Sequence, residues 1–191
     1  MPHEIADPRK VVVKIAKILD EVGIPYFITG SFAVSVWGRP RATFDIDIVV
    51  ELIEPKVGSL AKALHKVYKA GYIDELSARE AILERSEFNF IDPLTGVKID
   101  FWVTKRDELS LLKLKRKISK KINGKLVCFI SPEDLILSKL VWHTMGESTR
   151  QLEDIESILK ISGKNLDMKY IKKWAKEINV LEIWRNLLQN L

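Results

Sequence analysis

The stretch Tyr26-Phe-Ile-Thr-Gly-Ser-Phe-Ala-Val-Ser-Val-Trp-Gly-Arg-Pro-Arg-Ala-Thr-Phe-Asp-Ile-Asp-Ile-Val-Val50 decides how this 191-residue chain is read. An apolar run ends at Gly30-Ser31, and a short amphipathic segment follows. A loop containing Gly38, Arg39, Pro40 and Arg41 then leads into a second apolar run interrupted by Asp45 and Asp47. Successive side chains of a strand point to opposite faces. Asp45 and Asp47 therefore share one face, and Phe44, Ile46 and Ile48 share the other. Two carboxylates held that close repel each other unless a cation lies between them, and a hard divalent ion bound through oxygen is the usual partner. One face of this strand is expected to pack and the other to do chemistry.

Working outward, Asp7-Pro8 reads as an N-cap with proline at the first helical position, and Val12, Ile15, Ala16, Leu19 and Val22 recur at helical spacing. Gly23 and Pro25 stop that helix. Residues 26–29 read as a short buried strand, and Gly30-Ser31 turns it into a helix over 32–37. The backbone N–H groups of such a turn face outward without helical partners, which suits a phosphate. A long helix is predicted over 55–70 with Gly71 as its C-cap, and Ser77-Ala-Arg-Glu80 reads as a capping box. Strands over 87–91 and Val97–Val103 flank the hairpin turn Asp92-Pro-Leu-Thr-Gly96. In the second of them Asp100 alternates with Ile99 and Phe101, so a third carboxylate joins the polar face of a third strand. The last strand is predicted over 125–130, after a tight turn at Asn123-Gly124.

After Ser131 the pattern is helical throughout. Ser131-Pro-Glu-Asp134 is an N-cap with proline in the first turn, and that helix should run to about Trp142. Ser148-Thr-Arg-Gln151 reads as a further capping box before the stripe Leu152, Ile155, Ile158 and Leu159. Asp167 caps a helix bearing Ile171, Trp174, Ala175 and Ile178, and Leu181, Trp184, Leu187, Leu188 and Leu191 mark the last one. The expected fold class is therefore α/β (α+β), with a mixed twisted sheet and its helices over residues 1–130 and a helical bundle over 131–191 that walls a cleft.

Composition bounds the function. Apolar residues make up 47% of the chain, enough for a sizeable core. The first ten residues are polar and include Pro2 and Pro8, so they do not read as a secretory leader. The longest uncharged stretch, 22–38, is interrupted by Gly23, Pro25, Gly30, Ser31 and Ser35, which argues against a membrane span. Cys128 stands alone and has no CxxC partner, and His3, His65 and His143 are scattered, so neither a disulfide nor a zinc site is expected. Cytoplasmic residence is the expectation. The net charge of +5 is concentrated, because residues 104–125 hold nine Lys or Arg against Asp107 and Glu108. That segment reads either as a phosphate-binding surface or as the solvated side of a hairpin.

Gly-Ser after a strand, Asp-x-Asp in the next strand and one further Asp in a later strand together resemble the nucleotidyltransferase superfamily. That superfamily is shared by polymerase beta, the minimal nucleotidyltransferases, drug-modifying adenylyltransferases and the nucleotidyltransferase-like toxins of abortive-infection systems. The resemblance implies that Gly30 and Ser31 hold the triphosphate of an NTP substrate. It also implies that Asp45 and Asp47 bind magnesium, with two ions and manganese as a substitute, and that Asp100 completes the metal site and helps activate an acceptor hydroxyl. The pattern Arg41-Ala-Thr43-Phe-Asp45-Ile-Asp47 looks like the toxin-type and uncharacterised members, which adds Arg41 and Thr43 to the nucleotide-binding set. Drug-modifying relatives often carry His in place of Thr43 and Gly-Gly in place of Gly30-Ser31. The later stretch 131–140, followed by Arg150 and Asp154, is similar to the toxin-type subgroup too; by that resemblance Lys139 would reach the triphosphate and Asp154 would support the site. Read from the residues alone, Lys139 is equally an exposed helix lysine, and Asp154 with Arg150 an ordinary i, i+4 pair.

The implied activity is metal-dependent transfer of a nucleoside monophosphate to an acceptor hydroxyl. The acceptor stays open between an RNA end, approached through residues 104–125, a small antibiotic-type molecule and a protein hydroxyl. A catalytically silent nucleotide-binding regulator is the alternative from another class. The toxin-type resemblance also implies an antitoxin-like protein partner.

Overall fold

A computed structural model of the chain describes residues 7–43, 45–146 and 148–189. Phe44 of the predicted core face, His3 and Leu191 lie outside them. Two compact units are resolved, Met1–Phe32 with Ala42–Phe129, and Ala33–Arg41 with Ile130–Leu191. Each is described in turn.

The first unit opens with α1, Pro8–Val22. Asp7 Oδ1 accepts from the Arg9 N–H at 2.9 Å, and Gly23, at φ 70°, closes the far end by donating to Asp20 and Leu19 carbonyls. Among the described residues seven strands form one sheet: β1 (Tyr26–Ile28), β2 (Asp45–Val50), β3 (Tyr72–Ile73), β4 (Glu87–Asp92), β5 (Val97–Val103), β6 (Ile118–Ile122) and β7 (Lys125–Phe129). Their order across the sheet is β3-β4-β5-β2-β1-β7-β6. β2 runs parallel to β5, β1 parallel to β7, and the remaining neighbours are antiparallel. The register pairs Ile46 with Ile99 and Ile48 with Phe101, all at most 1% exposed. The Phe88 and Phe101 rings stack beside them at 5.1 Å. At roughly 1.5–3 kcal/mol for each fully buried large side chain, this face holds β2, β4 and β5 in one register.

Boundaries depart from the sequence reading in places where a local signal met a tertiary one. The helix predicted over 55–70 is α3, Val57–Val67, entered by a 3-10 turn at Glu54–Lys56. It ends before Gly71 because the chain there runs onto Phe90. A Cβ on Gly71 would lie 2.6 Å from Phe90 Cε2, and the Tyr68 and Phe90 rings meet at 5.4 Å. The capping box expected at Ser77 is not the start of its helix. α4 is Glu75–Glu84, capped by Asp74, whose carboxylate accepts from the Leu76 N–H and from Ser77 Oγ, each at 2.9 Å. The lysine-rich stretch 104–125 contains a helix as well as one arm of a hairpin. It holds α5, Glu108–Arg116, with Asp107 Oδ1 accepting from the Ser110 N–H at 2.9 Å, and then the edge strand β6. Asn123 (φ 46°) and Gly124 (φ 80°) make the left-handed turn from β6 to β7.

In the second unit, α6 (Pro132–Gly146), α7 (Thr149–Ser162), α8 (Met168–Glu177) and α9 (Leu181–Gln189) follow the sheet in sequence. The helix α2, Gly30–Trp37, begins in the first unit, and its residues from Ala33 onward belong to the second. Ser131 Oγ accepts from the Asp134 N–H at 3.1 Å and donates to Asp134 Oδ2 at 2.8 Å, while the Tyr170 hydroxyl donates to Asp134 Oδ1 at 2.7 Å. The fully buried Asp134 therefore ties the start of α6 to α8. Ser148 makes no side-chain cap bond to α7, so the capping box expected there does not form. Trp37 Nε1 donates to the Ile130 carbonyl at 2.9 Å and anchors residues 33–41 to these helices. No helix among the described residues is long and apolar enough to cross a membrane.

Candidate active site

The β2–β5 register places Asp47 directly opposite Asp100 and Asp45 opposite Lys98, all on the face opposed to Ile46, Ile48, Ile99 and Phe101. On the far side of β5, Asn89 faces Asp100, and on the far side of β2 the Thr29 N–H donates to the Asp47 carbonyl at 2.9 Å. A polar row Thr29, Asp47, Asp100, Asn89 therefore runs from the residue after β1 across β2, β5 and β4, with Asp45 and Lys98 one step along. The three carboxylates predicted from strand alternation do share a face.

Gly30 sits where the row meets α2. Its φ is +61°, and a Cβ there would lie 2.7 Å from Asp47 Cγ. Any side chain at position 30 would collide with the Asp47 carboxylate and adopt a disfavoured backbone as well, so glycine is required twice. The consequence is that the first turn of α2, with Ser31, begins against Asp47. Thr43 Oγ1 donates to the Asp45 carbonyl at 3.1 Å and fixes the entry to β2.

Burial divides the carboxylates. Asp45 is exposed, Asp47 half-buried and Asp100 only 8% exposed. Asp100 Oδ2 accepts from Lys98 Nζ at 3.0 Å, whereas Oδ1 is buried without a hydrogen-bond partner. The hydrogen bond to Asp100 pushes the Lys98 pKa above its usual value, against desolvation, which acts the other way. An orphaned carboxylate oxygen flanked by two further carboxylates is a donor set for a hard divalent cation. Among the described residues, however, no three acidic, His or Cys side chains converge closely enough to enclose an ion. Asp100 leans on Lys98, whose ammonium offsets part of the negative charge of this face. The donor set fits a divalent ion in chemistry and in its shared sheet face.

In the second unit, Arg41, Lys139 and Asp154 form one cluster. Asp154, 5% exposed, accepts from Arg41 in a side-on pair, Nε to Oδ1 and Nη2 to Oδ2, both 3.2 Å, and from Lys139 Nζ at 2.8 Å. Lys139 is itself 6% exposed. It is not the exposed helix lysine that was its plain reading, and Asp154 does not take Arg150 as its partner. The loop carrying Arg41 is fixed from both ends. Ser35 Oγ bridges the Arg41 N–H and carbonyl at 3.2 and 3.3 Å, and the Arg39 N–H donates to Ser157 Oγ at 2.5 Å. One carboxylate thus gathers two cations, one of them from a segment 113 residues away from it in sequence. Sequence reasoning missed Lys98, although its place two residues before Asp100 on the same strand face was the available signal. It also missed the Arg41–Asp154 pair, for which nothing local gives a sign.

No protein-family model and no curated sequence matches the chain. Solved structures do. The antibiotic-resistance factor ANT(2'')-Ia superposes with a TM-score of 0.60 at 15% identity, over 96% of this chain and 94% of that one. The lincomycin-bound lincosamide antibiotic adenylyltransferase LnuA gives 0.54 at 13% identity, over 82% of this chain and 98% of its own. An antigenic nucleotidyltransferase-like protein from Paracoccidioides brasiliensis gives 0.51 at 21% identity, over 80% and 75%. At these identities the likeness is one of fold.

Proposed function

Since this chain takes the nucleotidyltransferase fold, we propose that it transfers a nucleoside monophosphate from an NTP to an acceptor hydroxyl with the help of a divalent metal. The observation that carries this reading is the register of Asp47 on Asp100, with Asp45 on the same face and Gly30 backed against the Asp47 carboxylate. Asp45, Asp47 and Asp100 would hold the metal, Mg²⁺ or Mn²⁺. Bound there, it supplies charge stabilisation to the entering and leaving oxygens of an in-line displacement.

The chain's own residues have the remaining tasks. Gly30 and Ser31 offer backbone N–H groups of the first turn of α2 to the triphosphate. Asp100, buried and with one oxygen unbonded, accepts the proton of the acceptor hydroxyl as that oxygen attacks the α-phosphorus and pyrophosphate leaves. Thr43 sets the start of β2 and so the placement of Asp45. Within the second unit Asp154 holds Lys139 and Arg41 together, and these three stand as the further nucleotide-binding candidates.

For the acceptor, RNA is supported by the basic residues of α5 and β6. Lys115, Lys120 and Lys121 are exposed, but lysines on an edge strand also guard against edge-to-edge pairing. A small hydroxylated molecule or a protein hydroxyl, and an antitoxin-like partner, remain competing proposals. A silent nucleotide-binding protein is favoured by one observation, the occupation of Asp100 Oδ2 by Lys98. Incubation with each α-labelled NTP, magnesium and total RNA separates these readings. Label on RNA supports the RNA acceptor, label on protein or small metabolites moves the acceptor, and nucleotide binding without transfer supports the silent reading.

A further inference from the structure

In the second unit, α8 and α9 enclose an open groove of about 460 Å³ lined by Lys169, Lys172, Lys173, Lys176, Leu181 and Arg185. The four lysines recur at i, i+3, i+4 and i+7, so they form one stripe of α8. The opposite face packs inward through Ile171, Trp174 and Ala175. All five cations are exposed, and none of them forms an ion pair with an acidic side chain among the described residues. The exposed face of a surface helix ordinarily mixes signs, because like charges at i, i+4 destabilise it. Here four lysines precede the single acid of the helix, Glu177, and Arg185 of α9 adds a fifth charge to the same concavity. An arrangement that repels itself in the free protein is relieved by a ligand carrying several negative charges.

We propose that this groove binds the phosphodiester backbone of nucleic acid without reading its sequence. The lining contains no Asn, Gln, Asp, Glu, Ser or Thr to address base edges and no aromatic ring on which a base would stack. Five cations with neither a stacking ring nor a polar acceptor favour contacts to phosphates. The stripe from Lys169 to Lys176 spans roughly 10 Å of helix, and the aliphatic lysine stems with Leu181 cover the sugar edge while the ammonium groups reach phosphates. The site lies outside the residues assigned to nucleotide chemistry and does not depend on transfer activity.

The test uses a fluorescein-labelled 20-nucleotide single-stranded RNA of mixed sequence, with binding read by anisotropy between 50 and 200 mM KCl. Five contacts, each contributing roughly −0.7 to the log-log salt slope, amount to about −3.5. The full chain with Lys169, Lys172, Lys173, Lys176 and Arg185 all changed to Gln should therefore bind more weakly at 50 mM, with a slope flatter by about 3.5. A DNA strand of the same sequence should bind the wild type within a few-fold of RNA, because the phosphates that the cations contact are common to both. Substitution of the four lysines by Arg should preserve binding. Should the fivefold variant fail to fold by circular dichroism, the pair Lys169→Gln and Lys173→Gln carries the same test with a slope change of about 1.4. Absence of RNA binding by the wild type, or an unchanged affinity and slope in the folded variant, overturns the proposal. So does a salt slope that responds only to substitution of Lys115, Lys120 and Lys121.

Discussion

Lys98 Nζ lies 3.0 Å from Asp100 Oδ2, two residues away on the same strand, so the strand that supplies the third carboxylate also supplies its counter-ion. Removing that ammonium takes from Asp100 its cationic partner and leaves three carboxylates on one sheet face. Lys98→Met is expected to raise apparent affinity for Mg²⁺ or Mn²⁺ several-fold, measured by calorimetric titration of the nucleotide-free protein. Its stability cost in metal-free buffer is expected to be under about 1 kcal/mol, because the lysine is 43% exposed and such pairs are weak. Unchanged metal affinity would show that Lys98 does not compete for Asp100.

The same pair fixes a pH dependence. The folded-state pKa of Lys98 is raised by the hydrogen bond to Asp100. Its contribution is therefore fully present below the unfolded lysine value, near 10.4, and is lost as pH rises through the higher folded value. The gap in urea midpoint between wild type and Lys98→Met should stay constant from pH 7 to about 10 and narrow only above that. Narrowing at neutral pH would contradict the assignment.

Asp154 gives a larger effect. Asp154→Asn strands Lys139, 6% exposed, together with the Arg41 guanidinium, and breaking a buried pair costs about 3–5 kcal/mol. Lys139→Met removes one cation and leaves the Arg41 pair in place, so its cost should be clearly smaller. Chemical denaturation of both single variants and the double measures their coupling, expected at about 0.5–3 kcal/mol. Additive effects would mean that the three side chains do not act as one cluster.

How much of this could be read beforehand follows from the range of each signal. Asp45, Asp47 and Asp100 were legible because strand alternation is local and each sits between apolar neighbours that must face inward. The Asp167 cap and the Asn123-Gly124 turn were legible for the same reason. α5 was hidden because only Leu109 and Leu114 of its residues are buried, too few to mark a helical stripe among lysines. Asp74 lost to Ser77 as the expected cap because both fit the capping pattern, and the hydrogen bond from Ser77 to Asp74 shows that the two share one turn. The Arg41 partner of Asp154 was not legible because it is remote in sequence, whereas Arg150 sits one turn away. The cations of α8 and α9 were hidden in a near-neutral remainder, because a charge count does not register which face a lysine occupies.

Gly30→Ala tests the link between α2 and the carboxylates. The added methyl would overlap the Asp47 carboxylate at a left-handed backbone position, so either Asp47 turns away or the first turn of α2 shifts. A stability loss of about 1–3 kcal/mol, together with weaker metal binding, is expected. A variant with wild-type metal affinity would separate Gly30 from the site.

The central claim is that the face bearing Asp45, Asp47 and Asp100 performs nucleotidyl transfer, and the position of the label in the NTP tests it most directly. With magnesium and a cell extract as the source of acceptors, wild-type protein is predicted to transfer label from α-labelled NTP with release of pyrophosphate, and none from γ-labelled NTP. Asp47→Asn, with the fold intact, is predicted to abolish the transfer. Transfer of the γ-label, or transfer by Asp47→Asn at the wild-type rate, would contradict the account.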